Sequence, residues 1–289
     1  MGEGAAGSPL RPGMTVCVRE SHVTLHRAPS AEAEVVTEAR LGEVAEVRET
    51  SGGERAAGGP GGRGWLRVAM AHDGYTGWAP AGAWLPGSWP SGGETLTVRQ
   101  LFANVYAGPR VQAPLVVVAP LGTPLRLLGP AGGEWLRVGL PGEREGFVQT
   151  GDVCRGTSAW NWETLPGLRR SLAETARRLL GLPYRWGGTT PWGIDCSGLV
   201  QLVYRLHGLI LPRDACDQAK EPRTMPVGRD ELQPGDLLFF ARYGHVGLAL
   251  SHWEFIHATT HETPVVQVSA VDDAYWTERR DEIRRLVPG

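Results

Sequence analysis

The sequence predicts an α+β protein in three parts, two small β-barrels followed by a larger domain of helices and antiparallel strands. Three observations predict it: a strand-rich segment repeats within the first half, helical spacing appears after Thr157, and strand-like runs return from Asp236 onward. A chain of 289 residues is long enough for several cores of ordinary size. With 42% apolar residues, 21% charged residues and a net charge of -2, the composition is that of a globular protein. The 29 basic residues are scattered, with no dense basic run interleaved with aromatics, so nucleic acid is not an expected partner.

Residues 1 to 13 form a small, polar N-terminal tail with neither a signal-peptide core nor a lipidation motif. No apolar run is long enough to span a bilayer, so no membrane partner is expected and the expected location is cytoplasmic. The four cysteines, Cys17, Cys154, Cys196 and Cys216, form no CxxC pair, which argues against a zinc ribbon or redox motif. They read as free thiols of a reducing compartment.

The repeat fills residues 14 to 90 and 91 to 157. Trp65-Leu66-Arg67-Val68 returns as Trp135-Leu136-Arg137-Val138, 70 positions on, whereas Leu41-Gly42 returns as Leu121-Gly122, 80 positions on. The first copy therefore carries about ten extra residues, and the glycine-rich stretch from 51 to 64 is the place for them. Short alternating runs between turn residues around these landmarks predict two small barrels.

The third part occupies residues 158 to 289. A first helix is predicted from Leu168 to Leu180, where positions 172, 175, 179 and 180 recur at the spacing of one helical face, and Gly181 with Pro183 ends it. A second helix is predicted from about Cys196, with Leu199, Val200, Leu202, Val203 and Leu206 in helical period and Gly208 closing it. Strands are predicted at 237–240, 245–250, 254–258 and 265–268.

Cys196 at a helix start meets unpaired N–H groups and the helix dipole, which are expected to favour its nucleophilic thiolate. A thiol nucleophile needs a base. His245, between Gly244 and Gly247, supplies one, and the glycines are expected to leave room for a substrate backbone. His257, twelve residues further on, stands at hairpin distance to hold the imidazole by its other nitrogen. Asp195 is the expected N-cap of the cysteine helix. No ligand set at short metal-binding spacing occurs, and neither a metal nor an organic cofactor is expected.

The segments Leu25-His26-Arg27-Ala28-Pro29, Leu41-Gly42, Trp65 to Val68 and Gly74-Tyr75-Thr76-Gly77-Trp78 resemble bacterial SH3-like domains, although the second copy has no equivalent of Trp78. Residues 188 to 199, Pro212-Arg213-Asp214, Gln233 to Phe240, Gly244-His245-Val246-Gly247 and Phe255-Ile256-His257 resemble the NlpC-type cysteine peptidases in order and spacing. The resemblance implies a papain-like catalytic domain. Two SH3-like modules ahead of it are similar to the arrangement in γ-D-glutamyl-L-diamino-acid endopeptidases that recycle cell-wall peptides.

The resemblance implies Cys196 as nucleophile, His245 as general base, His257 as orienting residue and Tyr184 as a hydroxyl polarising the attacked carbonyl. It further implies that Asp195 pairs with the substrate's amino terminus, and that Ser197, Arg213 and Asp214 line the D-glutamyl pocket. Tyr75 and an acidic companion, Glu34 or Glu38, are implied to reach the site from the first module. Ala215 and Cys216 depart from the serines usual in relatives, which puts side-chain hydrogen bonds from that loop in doubt. The implied partner is a murein stem peptide, L-Ala-γ-D-Glu-diamino acid. Two other readings stay open, a wall-peptide-binding protein and an acyltransferase on the same fold, with the chain order of cysteine before histidine favouring hydrolysis.

Overall fold

The computed structural model describes residues 10–51, 63–90, 92–156 and 164–287. Two compact units divide the chain, Met1–Ala159 and Trp160–Gly289. The first holds two barrels of the same construction. Strands β1 (Thr15–Val18), β2 (His22–His26), β3 (Val35–Arg40), β4 (Val44–Ser51), β5 (Trp65–Met70), β6 (Thr76–Pro80) and β7 (Trp84–Pro86) make the first. Strands β8 (Thr95–Val98), β9 (Phe102–Tyr106), β10 (Leu115–Pro120), β11 (Pro124–Pro130), β12 (Trp135–Leu140), β13 (Arg144–Gln149) and β14 (Val153–Arg155) make the second.

Both sheets have the same order, β3-β2-β6-β5-β4-β1-β7 and β10-β9-β13-β12-β11-β8-β14. The first four strands recur 80 residues on and the fifth 70 residues on, as the tryptophan and Leu-Gly landmarks require. The ten-residue difference falls between β4 and β5, and the insertion expected there lies in residues 52–62, outside the described residues, as do tail residues 1–9. The copies also share a bulge, between Val47 and Glu49 in one and between Leu127 and Gly129 in the other. Each Leu-Gly landmark is a turn whose glycine has a positive φ, 78° at Gly42 and 83° at Gly122, a conformation that side chains disfavour. Leu25, Val47, Leu66, Val68 and Trp84 are fully buried in the first core, and Leu96, Val105, Leu125, Val138 and Val148 in the second.

The second unit carries the α+β domain. It contains α1 (Leu165–Arg177), the short ribbon β15 (Thr189–Thr190) and β16 (Gly193–Ile194), α2 (Cys196–Leu206), α3 (Ala215–Gln218), β17 (Thr224–Pro226), β18 (Leu237–Phe240), β19 (His245–Ala249), β20 (Glu254–Thr259), β21 (Val265–Ala270), α4 (Ala274–Arg279) and β22 (Arg280–Leu286). Its sheet runs β17-β22-β18-β19-β20-β21, and α2 packs on β19 and β20. Every residue of α2 except Arg205 is buried, and all four residues of β18 are buried, which is why β18 reads as a continuous apolar run.

Helix α1 starts and ends about three residues earlier than its predicted span. Thr164 caps it by accepting the Gly167 N–H, and its buried face is Leu168, Leu172, Ala173, Thr175 and Ala176, while Leu180 lies past the end and is exposed. Gln233-Pro234-Gly235-Asp236 forms the turn that aims β18 at the site, with the Asp236 N–H bonded to the Gln233 carbonyl and Gly235 at φ 86°. The fully buried Asp236 carboxylate accepts from Arg169 and Arg285, tying that turn to α1 and β22. Strands β17 and β22 and helix α4 escaped the sequence reading.

Candidate active site

Cys196 opens α2, and Asp195 caps that helix by accepting the Gly198 N–H at 2.7 Å. The first turn fits only because glycines line it. A Cβ at Gly198 would lie 2.3 Å from the Gly188 carbonyl oxygen, and one at Gly188 would lie 2.3 Å from that of Gly193. The close packing of residues 187 to 198 thus comes from backbone contact, and it fixes where the cysteine sits.

Two strand-borne histidines complete the approach. The Cys196 sulfur lies within hydrogen-bonding reach of the Val246 N–H, which follows His245 at the start of β19. His245 Nε2 and His257 Nδ1 are 2.8 Å apart, and His257 Nε2 is 3.0 Å from Ser269 Oγ. Because Nε2 of His245 is taken by His257, Nδ1 is the nitrogen left for a thiol proton.

Trp276 of α4 stacks on the His245 ring at 5.3 Å between centroids and meets His257 edge-on at 4.6 Å. Phe240 and Phe255 close the other sides. The histidine pair is therefore boxed in by aromatic rings. Of the two glycines expected to make room for substrate, Gly247 serves packing instead: a Cβ there would lie 2.5 Å from Cδ2 of Phe255.

On the other side of the cysteine the surroundings are polar. The Asp195 carboxylate accepts from the Gly187 and Gly198 N–H groups, from Ser197 Oγ and from both terminal nitrogens of Arg213, the last at 3.0 and 2.5 Å. Arg213 also donates to Ser197 Oγ at 2.9 Å, and all three side chains are buried. Five protein donors converge on the Asp195 carboxylate, which makes it a helix cap and half of a buried ion pair. Ser197 and Arg213 are likewise engaged in holding the helix start. Gln218 braces the same corner, donating to the Ser197 and Pro212 carbonyls.

Tyr184 stands beside these groups, its N–H bonded to the Pro264 carbonyl. Burial, then the charges of Cys196 and Asp195, push its phenol up to about 12, so it remains a proton donor. Asp214 precedes α3 and is half-buried, Ala215 is buried and Cys216 is exposed. In the first unit, Tyr75 packs against the barrel core and lines a groove of about 600 Å³ with His26, Arg67 and Trp78. Glu34 pairs with Arg27 at 2.5 Å, whereas the Glu38 side chain is buried beside His22.

The electrostatics revise the expectation of a thiolate. Burial, then the Asp195 charge, push the Cys196 thiol up to about 12, against the Val246 and Ser197 N–H groups and Arg213. Burial lowers His245 to about 4, with Asp195 pulling the other way, and it lowers His257 to about 2, reinforced by His245 and His261. Burial outweighs the helix start here, because a helix end supplies partial charges only. Burial thus favours a neutral thiol and a neutral imidazole, an arrangement in which His245 takes the proton as attack occurs.

A thiol at a helix start, a histidine on the facing strand and a second histidine behind it define the site of a papain-like cysteine peptidase. The comparisons agree. A model described as NlpC/P60 family matches residues 181–285, and one described as bacterial SH3 domain matches residues 21–85. Dipeptidyl-peptidase 6 of Lysinibacillus sphaericus is 31% identical over 187 residues, 64% of this chain and 67% of that protein. A gamma-D-glutamyl-L-lysine dipeptidyl-peptidase of Bacillus cereus is 31% identical over 159 residues, 53% of this chain and 46% of that one. The chain thus spans two thirds of the first relative and under half of the second. A crystal structure of an NlpC/P60 family protein from Bacillus cereus has the same fold, with a TM-score of 0.79 at 22% identity over 95% of this chain and 100% of that one. The chain belongs to the NlpC/P60 family and is a cysteine peptidase.

The sequence reading missed Ser269, Trp276 and Gln218. Ser269 had a signal, since it follows His257 by the same twelve residues that separate His257 from His245.

Proposed function

We propose that the enzyme hydrolyses the bond between γ-D-glutamate and the following diamino acid in murein peptides that carry a free N-terminal L-alanine. The observation that carries this reading is the thiol of Cys196 against the N–H that follows His245, with His257 bonded to the far nitrogen of His245. The names of the relatives, gamma-D-glutamyl-L-lysine dipeptidyl-peptidase and dipeptidyl-peptidase 6, support release of a two-residue unit from an amino end.

In the proposed reaction His245 Nδ1 takes the Cys196 proton as sulfur attacks the γ-carbonyl, and Tyr184 with N–H groups of the helix start holds the oxyanion. His245 returns the proton to the leaving amine, and water then resolves the thioester. The electrostatics suit Tyr184 to that task, because a phenol pushed up to about 12 stays protonated while it donates. Asp195 is the carboxylate proposed to meet the substrate ammonium in addition to capping α2, and Asp214 is proposed to line the D-glutamyl pocket with Ser197 and Arg213. The same reading places the enzyme in the cytoplasm, on peptides already released from the wall.

The test compares L-Ala-γ-D-Glu-diamino acid with its N-acetyl form. A charge-assisted hydrogen bond to the ammonium contributes about 1.5 to 3 kcal/mol, so acetylation is expected to lower kcat/KM at least about tenfold. Equal rates would point to an open groove acting on intact wall and would withdraw both the free-amine rule and the cytoplasmic location.

A further inference from the structure

We propose that Ser269 is a positioning residue whose hydroxyl, as terminal acceptor of the chain His245–His257–Ser269, keeps the proton off the His245 nitrogen that faces the thiol. This rests on reading Cys196 and His245 as nucleophile and base. Three adjacent strands carry the chain. In the register of β20 and β21, Phe255 faces Ser269 and His257 faces Gln267, so His257 and Ser269 are diagonal neighbours on one face of the sheet. Continuing the pairing of Leu248 with Ile256 and of Ala249 with Phe255 makes His245 and His257 diagonal neighbours in the same way.

The protons in this chain can be ordered in only two ways. In the first, His245 Nε2–H donates to His257 Nδ1, and His257 Nε2–H donates to Ser269 Oγ. His245 Nδ1 is then bare and can take the thiol proton: the S–H bond breaks, its electron pair stays on sulfur, and an N–H bond forms. In the second, Ser269 donates to His257, His257 Nδ1–H donates to His245, and His245 carries its proton on Nδ1. That order leaves Cys196 without a base. It is also incompatible with the imidazolium that the reaction must form, because two N–H groups would then face each other.

Ser269 decides between the two orders because His257 is fully buried. With an acceptor at position 269, an N–H at Nε2 of His257 is satisfied. Without one, that N–H is left unpaired in an aromatic box, and moving the proton to Nδ1 relieves the cost by adopting the unproductive order. The serine acts on the base through His257 and touches neither thiol nor substrate.

The test is to read the ring nitrogens of 15N-labelled histidines by NMR near neutral pH in the parent protein, Ser269→Ala, Ser269→Thr and the size-matched Ser269→Cys. The parent and the threonine variant are expected to hold His245 and His257 protonated at Nε2, and the alanine and cysteine variants to move both toward Nδ1. In parallel, kcat is expected to fall about tenfold in the alanine and cysteine variants at unchanged KM and to be retained in the threonine variant. Unchanged tautomers in a folded alanine or cysteine variant would overturn the proposal, as would a kcat equal to the parent's. The ring signals are independent of turnover, so this failure is distinct from that of the nucleophile reading, which Cys196→Ala tests by itself.

Discussion

The two sides of Cys196 are built on opposite principles. On one side, Asp195, Arg213 and Ser197 form a buried cluster in which every oxygen of the carboxylate is matched to donors. On the other, His245 and His257 sit among Trp276, Phe240 and Phe255 with one hydrogen-bonded chain running out to Ser269. The polar side pairs a carboxylate with a guanidinium, whereas on the aromatic side burial disfavours the charged form of both histidines. The first therefore fixes the backbone around the nucleophile, and the second tunes the base.

Substitutions should separate the two sides cleanly. His245→Ala is expected to lower kcat by about three to four orders of magnitude, since nucleophile and base act as a unit, while leaving the unfolding midpoint near that of the parent. Arg213→Met is expected to do the reverse first. It strands a buried carboxylate, which costs about 3 to 5 kcal/mol, and urea titration should show the loss. Adding Asp195→Asn to Arg213→Met should recover part of that stability by removing the stranded charge. A stable Arg213→Met protein with no turnover would show that the polar side acts in chemistry, and the contrast drawn here would fail.

Much of this site was legible in the sequence, and what was not has a physical reason. Cys196 and Asp195 were readable because a helix start imposes local rules on the capping residue and on the residue that follows it. His257 was readable because a hairpin returns the chain at a predictable distance. Trp276 was not, since it reaches the histidines from a helix of six residues, Ala274–Arg279, too short to show a periodic pattern. The role of Asp195 was half legible: its cap is local, but its bond to Arg213 joins positions 18 apart across a loop, and only the fold brings them together. Burial, which opposes the expected thiolate, was not legible for the same reason, because the helix start is a sequence feature and burial is not.

A pH profile can sharpen the contrast. Asp195 and Arg213 act on the thiol, Asp195 on His245, and His245 and His261 on His257, and burial outweighs each of them. With His245 lowered to about 4, the imidazole is already a free base well below its ordinary pH range. The acid limb of kcat/KM should therefore lie near 4 rather than near 6.5. With the thiol raised to about 12, the rate of alkylation by iodoacetamide should keep climbing past pH 9. An acid limb near 6.5 together with a flat alkylation rate from mildly acidic pH would mean a resting thiolate and imidazolium pair. Linkage carries the same sign into stability. A histidine whose folded pKa lies below its unfolded value binds its proton less readily when folded, so stability is full above the ordinary histidine range and falls as pH drops from about 6.5 toward 4.

The smallest expected effect concerns the turn that delivers His245. Ala241, Arg242 and Tyr243 all have left-handed backbone, with φ of 55°, 59° and 63°, although none is glycine. Each such residue costs roughly 1 to 2 kcal/mol. The turn is nonetheless held, by the pairing of Phe240 with His245 across β18 and β19 and by the Tyr243 N–H bonded to Asp281. Arg242 is exposed, so substitution there acts chiefly on the backbone preference. Arg242→Gly relieves the left-handed cost but loses roughly 0.5 to 1 kcal/mol to the greater freedom of the unfolded chain, leaving an expected gain of about 0.5 kcal/mol. Arg242→Ile should move stability the other way by about 1 kcal/mol, because a branched side chain tolerates this conformation least. Turnover should stay near the parent's in both, since the strand pairing and the His257 bond hold the imidazole in place. If Arg242→Gly instead lowered kcat while raising the unfolding midpoint, the strained turn would be part of how the aromatic side aims its base, rather than only the connection that carries the chain to it.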